Sequence, residues 1–445
     1  MRLPQYSDVK PSAPIWLGAV PAKWAVRRLK FQVNKVGSGV TPSGGAESYE
    51  LEGIPLLRSQ NVHFDGLRLD DVVFISPETH ASMANSKVQP NDVLLNITGA
   101  SIGRCCLVPP AIGEANVNQH VAIVRSDSSL DPKFLSYLLR ADLGQKQIEL
   151  SQTGSGREGL TFEAIRNFVV PLPEIAEQQK IAAFLNWKTG QIAALIARKQ
   201  ELLEKLQAKR LAETTQAVTR GLNPAAPLRD SGIPWLGQVP QHWQVMKFGY
   251  RTNIQEGQVD PEEEPYSDLP LIAPNHIESN TGRVFDLTSA RDQAAISGKY
   301  LVRKGDVVYS KIRPHLNKCA LADFDGLCSA DMYPIRTEQE LTPDFLLHWM
   351  LAQPFLDYAT ESSMRVAMPK LNRDTLSAAP LVVPPEPEQN AIVAHIRKVT
   401  HRIDSMATKV EAAIDRLTEY RNALITAATT GKIDVRNVRI SGPVS

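Results

Sequence analysis

An internal duplication constrains this chain more than any other feature. Pro173 and Glu174 lead into Glu177-Gln178-Gln179-Lys180-Ile181, and Pro384-Pro385-Glu386 leads into Glu388-Gln389-Asn390-Ala391-Ile392, 211 residues later (389 − 178). Each copy opens a stretch with helical rhythm. In the second, Ile396, Ile403, Val410, Leu417 and Leu424 recur every seventh residue, interleaved with Ile392, Val399, Met406, Ala413 and Tyr420. Two seven-residue series at alternating spacings of three and four predict a coiled-coil seam. Leu185, Ile192, Leu195, Leu202 and Leu206 keep that rhythm in the first copy, where Lys188 and Lys199 interrupt it. Gly190 weakens this helix by roughly 1 kcal/mol, so a bend or frayed turn is expected there. Prolines and glutamates at each start suit a helix N-terminus, and Gly221 and Gly431 mark the ends. About 40 residues at ~1.5 Å each make a rod of roughly 60 Å.

The segments before the rods repeat as well. Ser12-Ala13-Pro14-Ile15-Trp16-Leu17-Gly18 through Trp24 returns as Ser231-Gly232-Ile233-Pro234-Trp235-Leu236-Gly237 through Trp243, at an offset of 219 (231 − 12). The expected role is an arm that both tryptophans pin to the domain core, because indole buries a large area. Three further stretches correspond: 53–62 with 268–277, 88–95 with 302–309, and 116–125 with 327–336. In the second of these pairs each member looks like a turn feeding a buried strand. Short helices are expected after Asp131-Pro132 and Thr342-Pro343. The fold class that follows is α+β: two related globular α/β domains separated by two long helices that can zip together, with an internal pseudo-two-fold repeat. The boundaries are 1–172 and 223–383 for the globular domains, 173–222 and 384–433 for the helices, and 434–445 for a tail. Stiff proline-containing linkers such as Leu222-Asn223-Pro224 join them.

With 445 residues, 43% hydrophobic and 22% charged, the chain has the composition of a soluble, multidomain globular protein. It has no apolar run of the ~18 residues a membrane helix needs, and Met1-Arg2-Leu3-Pro4-Gln5 opens no signal peptide. Cys105, Cys106, Cys319 and Cys328 lack metal-ligand spacing and read as reduced thiols in a cytoplasmic protein. A net charge of +1 gives no support to nucleic-acid binding, so that reading has to rest on local basic patches.

Catalytic motifs are missing. Gly298-Lys299-Tyr300 and Gly431-Lys432-Ile433 fail as phosphate loops, and no Gly-x-Ser-x-Gly or His-Glu-x-x-His occurs. Asn223-Pro224-Ala225 is not the Asn-Pro-Pro-aromatic run of amino-methyltransferases. The expectation is a binder with no catalytic residue and no metal ligand. Polar, turn-rich stretches after expected strands suit a polynucleotide, since Arg and Lys meet phosphate while Asn, Gln, Arg and Lys read base edges. In the first segment they contain Arg58, Asn61, Asn96, Thr98, Ser101, Arg104, Asn118, Gln119, His120 and Arg157. In the second they contain Asn275, His276, Lys311, Arg313, His315, Asn317, Lys318, Arg365, Lys370 and Arg373. Each stretch read singly is more readily an ordinary solvated turn, because Gly, Asn and Ser dominate turns for backbone reasons.

The Trp-Leu-Gly…Val-Pro…Trp arm, Asn96-Ile97-Thr98-Gly99-Ala100-Ser101-Ile102-Gly103-Arg104, Asn116-Val117-Asn118-Gln119-His120-Val121, Glu177-Gln178 and Val218-Thr219-Arg220-Gly221-Leu222 together resemble the specificity subunit of type I restriction-modification systems. The likeness spans nearly the whole chain. It implies two target recognition domains, each reading one half of a split double-stranded DNA sequence, and two long helices that pair as an antiparallel coiled coil, fix the gap and dock two modification subunits. Those partners would carry S-adenosylmethionine for adenine-N6 DNA methylation, and restriction subunits with ATP and Mg would join for cleavage. No cofactor is expected on this chain itself. Lys311-Ile312-Arg313-Pro314 stands where Ile97-Thr98-Gly99-Ala100 does, which implies different half-sites. The alternative is a coiled-coil protein-protein scaffold without DNA readout.

Overall fold

The computed structural model describes residues 3–42, 44–152, 159–363 and 370–440. Its contacts divide the chain into two compact units, residues 1–198 with 412–445 and residues 199–411. The division falls inside both long helices, Ile175–Arg220 and Glu386–Thr429, so each unit holds one globular segment and half of each helix.

In the first unit, strands Cys105–Leu107, Val93–Asn96, Val121–Ser126 and Val33–Ser38 form an antiparallel sheet in that order, with Ala122 opposite Leu95 and Ile123 opposite Gly37. Val93, Leu94 and Leu95 are all buried, which is why the strand reads as a continuous apolar run instead of an alternating one. A three-stranded sheet lies beside it, with Asn116–Val117 parallel to Ile54–Leu57, and Ile54–Leu57 antiparallel to Val73–Ile75. The second unit repeats the first sheet strand for strand, in the order Cys319–Leu321, Val307–Ser310, Met332–Thr337, Thr252–Ile254. Its companion sheet has five strands. Short helices Pro132–Arg140 and Pro343–Met350 follow, capped by Asp131 and Thr342 side chains that accept from Phe134 and Phe345 N–H. Each globular segment closes on itself just before its long helix. Ala25–Arg28 pairs with Val169–Leu172, and Gln244–Lys247 pairs with Pro380–Val383.

The Glu-Gln motif has a structural explanation. Gln178 is fully buried: its Nε2 donates to the carbonyls of Ser129 and Pro173 at 2.9 Å each, and its Oε1 accepts from Asp131 N–H at 2.8 Å. Gln389 does the same in the second unit, donating to Glu340 and Pro384 carbonyls and accepting from Thr342 N–H at 2.9 Å. One amide thus fastens the first turn of each long helix to the loop that starts the short helix. The neighbouring glutamate holds the arm. Glu177 accepts from Tyr6 Oη at 2.7 Å, and that ring packs edge-on against Trp24; Glu388 accepts directly from the Trp243 indole at 2.9 Å.

Both halves of each unit share one core. Trp24, Phe134 and Leu138 cluster with Ile181, Leu185 and Ile192 from the first long helix and Leu424, Ile425 and Ala428 from the second. Trp243, Phe345 and Trp349 cluster with Ala217 and Val218, and with Ile392 and Ile396. Thr426 Oγ1 accepts from Asp142 N–H at 3.1 Å, and Thr215 Oγ1, its counterpart 211 residues earlier, accepts from Gln353 N–H at 3.0 Å. Gly431 (φ +71°) and Gly221 (φ +72°) end the helices in the left-handed region beside Trp24 and Trp243, where a Cβ would press on the indole or on Pro21.

Two expectations need correction. Trp24 and Trp243 are buried, but Trp16 is 51% and Trp235 38% exposed; Leu17 and Leu236 take the inward position instead. Trp16 and Leu17 are adjacent in one tight 3₁₀ turn and cannot both face the core. No frayed turn interrupts the helix at Gly190, because the buried neighbours Leu185 and Ile192 offset the ~1 kcal/mol propensity cost. Among the described residues no helix is long and apolar enough to cross a membrane, and the four cysteines are unpaired and buried.

Candidate nucleic-acid interface

The sheet in each unit carries its polar loops at one end. In the first unit the strand Val93–Asn96 delivers the stretch 96–104, and three of the expected stretches meet there. Asn96 Nδ2 donates to Ser59 carbonyl at 2.8 Å and to Ser101 Oγ at 3.1 Å, and Asn118 N–H donates to Leu57 carbonyl at 3.1 Å. Thr98 Oγ1 lies 2.6 Å from His120 Nδ1, Gln119 Nε2 lies 3.0 Å from His120 Nε2, and Thr41 Oγ1 donates to Gln119 Oε1 at 2.5 Å. With Gln119 donating to Nε2, the imidazole donates from Nδ1 to Thr98. This chain orders the loop surface while Gln119 stays exposed.

In the second unit the corresponding strand Val307–Ser310 delivers 310–318, and again three stretches converge. Lys318 Nζ donates to Pro274 carbonyl at 2.6 Å, and Leu371 N–H donates to Lys311 carbonyl at 2.9 Å. Arg373 donates to the carbonyls of Ile254 and Gln255 while lying over the rings of Tyr300 and Tyr333, 5.4 and 4.8 Å from their centroids. Lys311 Nζ sits 5.1 Å over the same Tyr333 ring. Burial lowers the Lys311 pKa, and repulsion from Lys370 and Arg373 adds to it. Burial likewise lowers that of His276, whose Nδ1 accepts from Ala273 N–H at 3.2 Å.

The twenty residues expected to contact nucleic acid therefore fall into groups. Asn61, Asn96, Asn118, His276 and Asn317 are buried and bonded internally; Asn61 bridges Arg58 N–H and Arg68 carbonyl, and Asn317 donates to Met350 carbonyl. Their geometry shapes loops. Lys311 and Lys318, also largely enclosed, are tied as described, and Ser101, Thr98, His120, Arg58 and Arg373 are half-buried. Arg104, Gln119, Asn275, Arg313, His315 and Lys370 are exposed on these loops. Arg157 and Arg365 lie outside the described residues. Thr41, Tyr300 and Tyr333 join the clusters without having been expected. Thr41 looked like a plain loop residue, and the two tyrosines lie in strands whose apolar pattern signals only core.

The paired loops differ in one instructive way. Gly99 (φ +71°) and Gly103 (φ +87°) adopt left-handed backbone in the first unit; Arg313 (φ +48°) and Asn317 (φ +41°) do so at the matching positions, 214 residues later (313 − 99). The second loop keeps the turn and places a cation where the first has no side chain. Holding an arginine there costs about 1–2 kcal/mol. Such strain is common where a side chain is displayed for function.

Sequence comparison places these loops in context. The profile of the type I restriction modification DNA specificity domain matches residues 21–205 and 240–416. The type I restriction enzyme EcoDI specificity subunit of Escherichia coli is 30% identical over 339 residues, covering 72% of this chain and 74% of that protein. The MjaVIII specificity subunit of Methanocaldococcus jannaschii is 22% identical over 438 residues, covering 94% and 95%. Among solved structures, one from a study of complex assembly and conformational transition in a type I R-M system aligns with a TM-score of 0.68 at 17% identity, covering 93% of this chain and 99% of that one. The HsdS subunit from Thermoanaerobacter tengcongensis aligns at 0.50 with 17% identity, covering 93% and 98%. The two structural likenesses bear on the fold.

Proposed function

We propose a split DNA reader, on a premise the comparisons supply: this chain belongs to the family of type I restriction-modification specificity subunits. Its role is recognition of a DNA target for such a system. Within that role, each globular segment reads one half of a bipartite site. The observation that carries this is the recurrence of one four-stranded sheet with polar loops at the same end in both units, displaying Gly99 in one and Arg313 in the other. Arg104 and Gln119 read in the first domain, and Asn275, Arg313, His315 and Lys370 in the second, with Arg58 and Arg373 on phosphates or base edges. The buried asparagines hold these loops in shape.

The two long helices act as an antiparallel coiled coil and a ruler. At ~1.5 Å per residue the 46 residues of Ile175–Arg220 span roughly 69 Å, enough to separate two readers by more than one helical turn of DNA, about 34–36 Å. Apolar side chains exposed on the helices support docking of two methyltransferase subunits: Leu195 and Tyr420 in the first unit, Leu202 and Met406 in the second. The chain works without chemistry of its own. S-adenosylmethionine, ATP and Mg belong to partner subunits, in the cytoplasm, and partner cations share in neutralising the DNA, which accommodates a net charge of only +1.

Replacing residues 231–380 by the matching segment of another specificity subunit should change one half-site and leave the other intact. A change in both halves, or in neither, refutes the division of labour.

A further inference from the structure

The internal repeat exposes a charge that one unit neutralises and the other does not. Under the 211-residue offset of the long helices, Arg421 corresponds to Arg210, Thr189 to Thr400 and Ala193 to Asp404 (421 − 210, 400 − 189, 404 − 193). In the second unit Arg210 and Thr400 line a cavity that His348 of the short helix Pro343–Met350 also reaches, and Asp404 forms ion pairs with both Arg210 and Arg283. The matching cavity of the first unit, about 350 Å³, is lined by Arg421, Arg140, Lys133, Tyr137 and Thr189. Ala193 stands where the acid would be.

Two guanidinium groups face this cavity without a carboxylate within 4 Å, among the described residues. Arg421 Nε is buried and unpartnered. Arg140 reaches only the Phe64 carbonyl, at 2.9 Å, and the Phe64 ring. The one acid on the wall, Asp65, is paired with Arg68 at 3.2 Å. Burial lowers the Arg140 pKa, and repulsion from Arg421 lowers it further. Two hydroxyls also line it, each with its proton already placed: Tyr137 Oη donates to Asn186 Oδ1 at 2.7 Å and Thr189 Oγ1 donates to the Leu185 carbonyl at 2.7 Å, so the guanidinium groups are the donors left for a ligand. Gly190 is also on the wall. Buried guanidinium groups are stable when an oxyanion supplies the missing acceptors.

We propose that this cavity binds a small oxyanion, a carboxylate or phosphate-bearing molecule that takes the place Asp404 fills in the other unit. Its volume is near the lower end of the ~300–1,000 Å³ of small-molecule sites. The proposal stands whether or not the chain reads a split target.

The test is isothermal titration of the full chain, without DNA, using inorganic phosphate and citrate as probes. Wild type should bind at least one, the tighter naming the phosphoryl or the carboxylate group. Arg421→Gln should weaken binding by ~10-fold or more, the loss of one charge-assisted pair. Ala193→Asp should abolish it while raising the Tm in anion-free buffer, because the acid is then built in. No binding of either probe to wild type, or binding unchanged in both Arg421→Gln and Ala193→Asp, overturns the proposal.

Discussion

Replacing Gln178 by alanine removes the amide that fastens the first long helix to its globular segment. Three hydrogen bonds go, two to carbonyls and one from an N–H, at a site with no solvent exposure. At about 1 kcal/mol for each bond, the loss is about 3 kcal/mol, and more if the orphaned groups stay dry. For a folding unit of this size each kcal/mol lowers Tm by roughly 2–4 °C, so a drop of about 6–12 °C is expected. Differential scanning calorimetry with chemical denaturation of the same variant measures it. Gln178→Glu should cost at least as much, since a carboxylate would face the Ser129 and Pro173 carbonyls. A loss under about 1 kcal/mol for both variants would refute the claim that this residue locks helix to domain, and Gln389→Ala would then be expected to fail equally.

The remaining predictions concern other sites. Arg313→Gly should stabilise the chain by about 1 kcal/mol through relief of left-handed strain, and should relax reading of one half-site only; denaturant midpoints and a methylation-motif map check the two effects. Asp306→Ala removes both carboxylate acceptors of Arg336, bonded at 2.9 Å each, and should cost about 1.5–3 kcal/mol by urea unfolding, because Arg336 keeps Gln255 and some contact with solvent. His348 is held down to about 4 by burial, then by Arg397 and Arg210. Its folded pKa lies below the unfolded value of ~6.5, so the unfolded chain binds more protons between the two. Stability should therefore fall, by up to about 3 kcal/mol, as pH drops from 6.5 toward 4. His348→Gln should flatten that slope in pH-resolved denaturation.

Much of the architecture was legible because duplication is a signal that survives divergence. Glu177-Gln178 and Glu388-Gln389 announced equivalent positions, and continuous apolar runs such as Val93-Leu94-Leu95 announced strands buried on both faces. The arm tryptophans were half legible: composition says that indole seeks a core, but only the local turn decides that Leu17 points inward in place of Trp16. Loop chemistry was less legible. Asparagine serves a turn backbone and a base edge with the same amide, so sequence could not distinguish buried Asn96 from exposed Gln119. The stacking of Arg373 on Tyr333, and the meeting of Arg140 with Arg421, join residues far apart in sequence, and no local pattern records such contacts.

The most direct test of the split-reader account is to co-express this chain with a cognate modification subunit and map N6-methyladenine across the host genome. The account predicts a new motif in two parts separated by a constant gap, with one part altered when residues 231–380 are exchanged. A contiguous motif, or a methylation pattern the chain leaves unchanged, would contradict it.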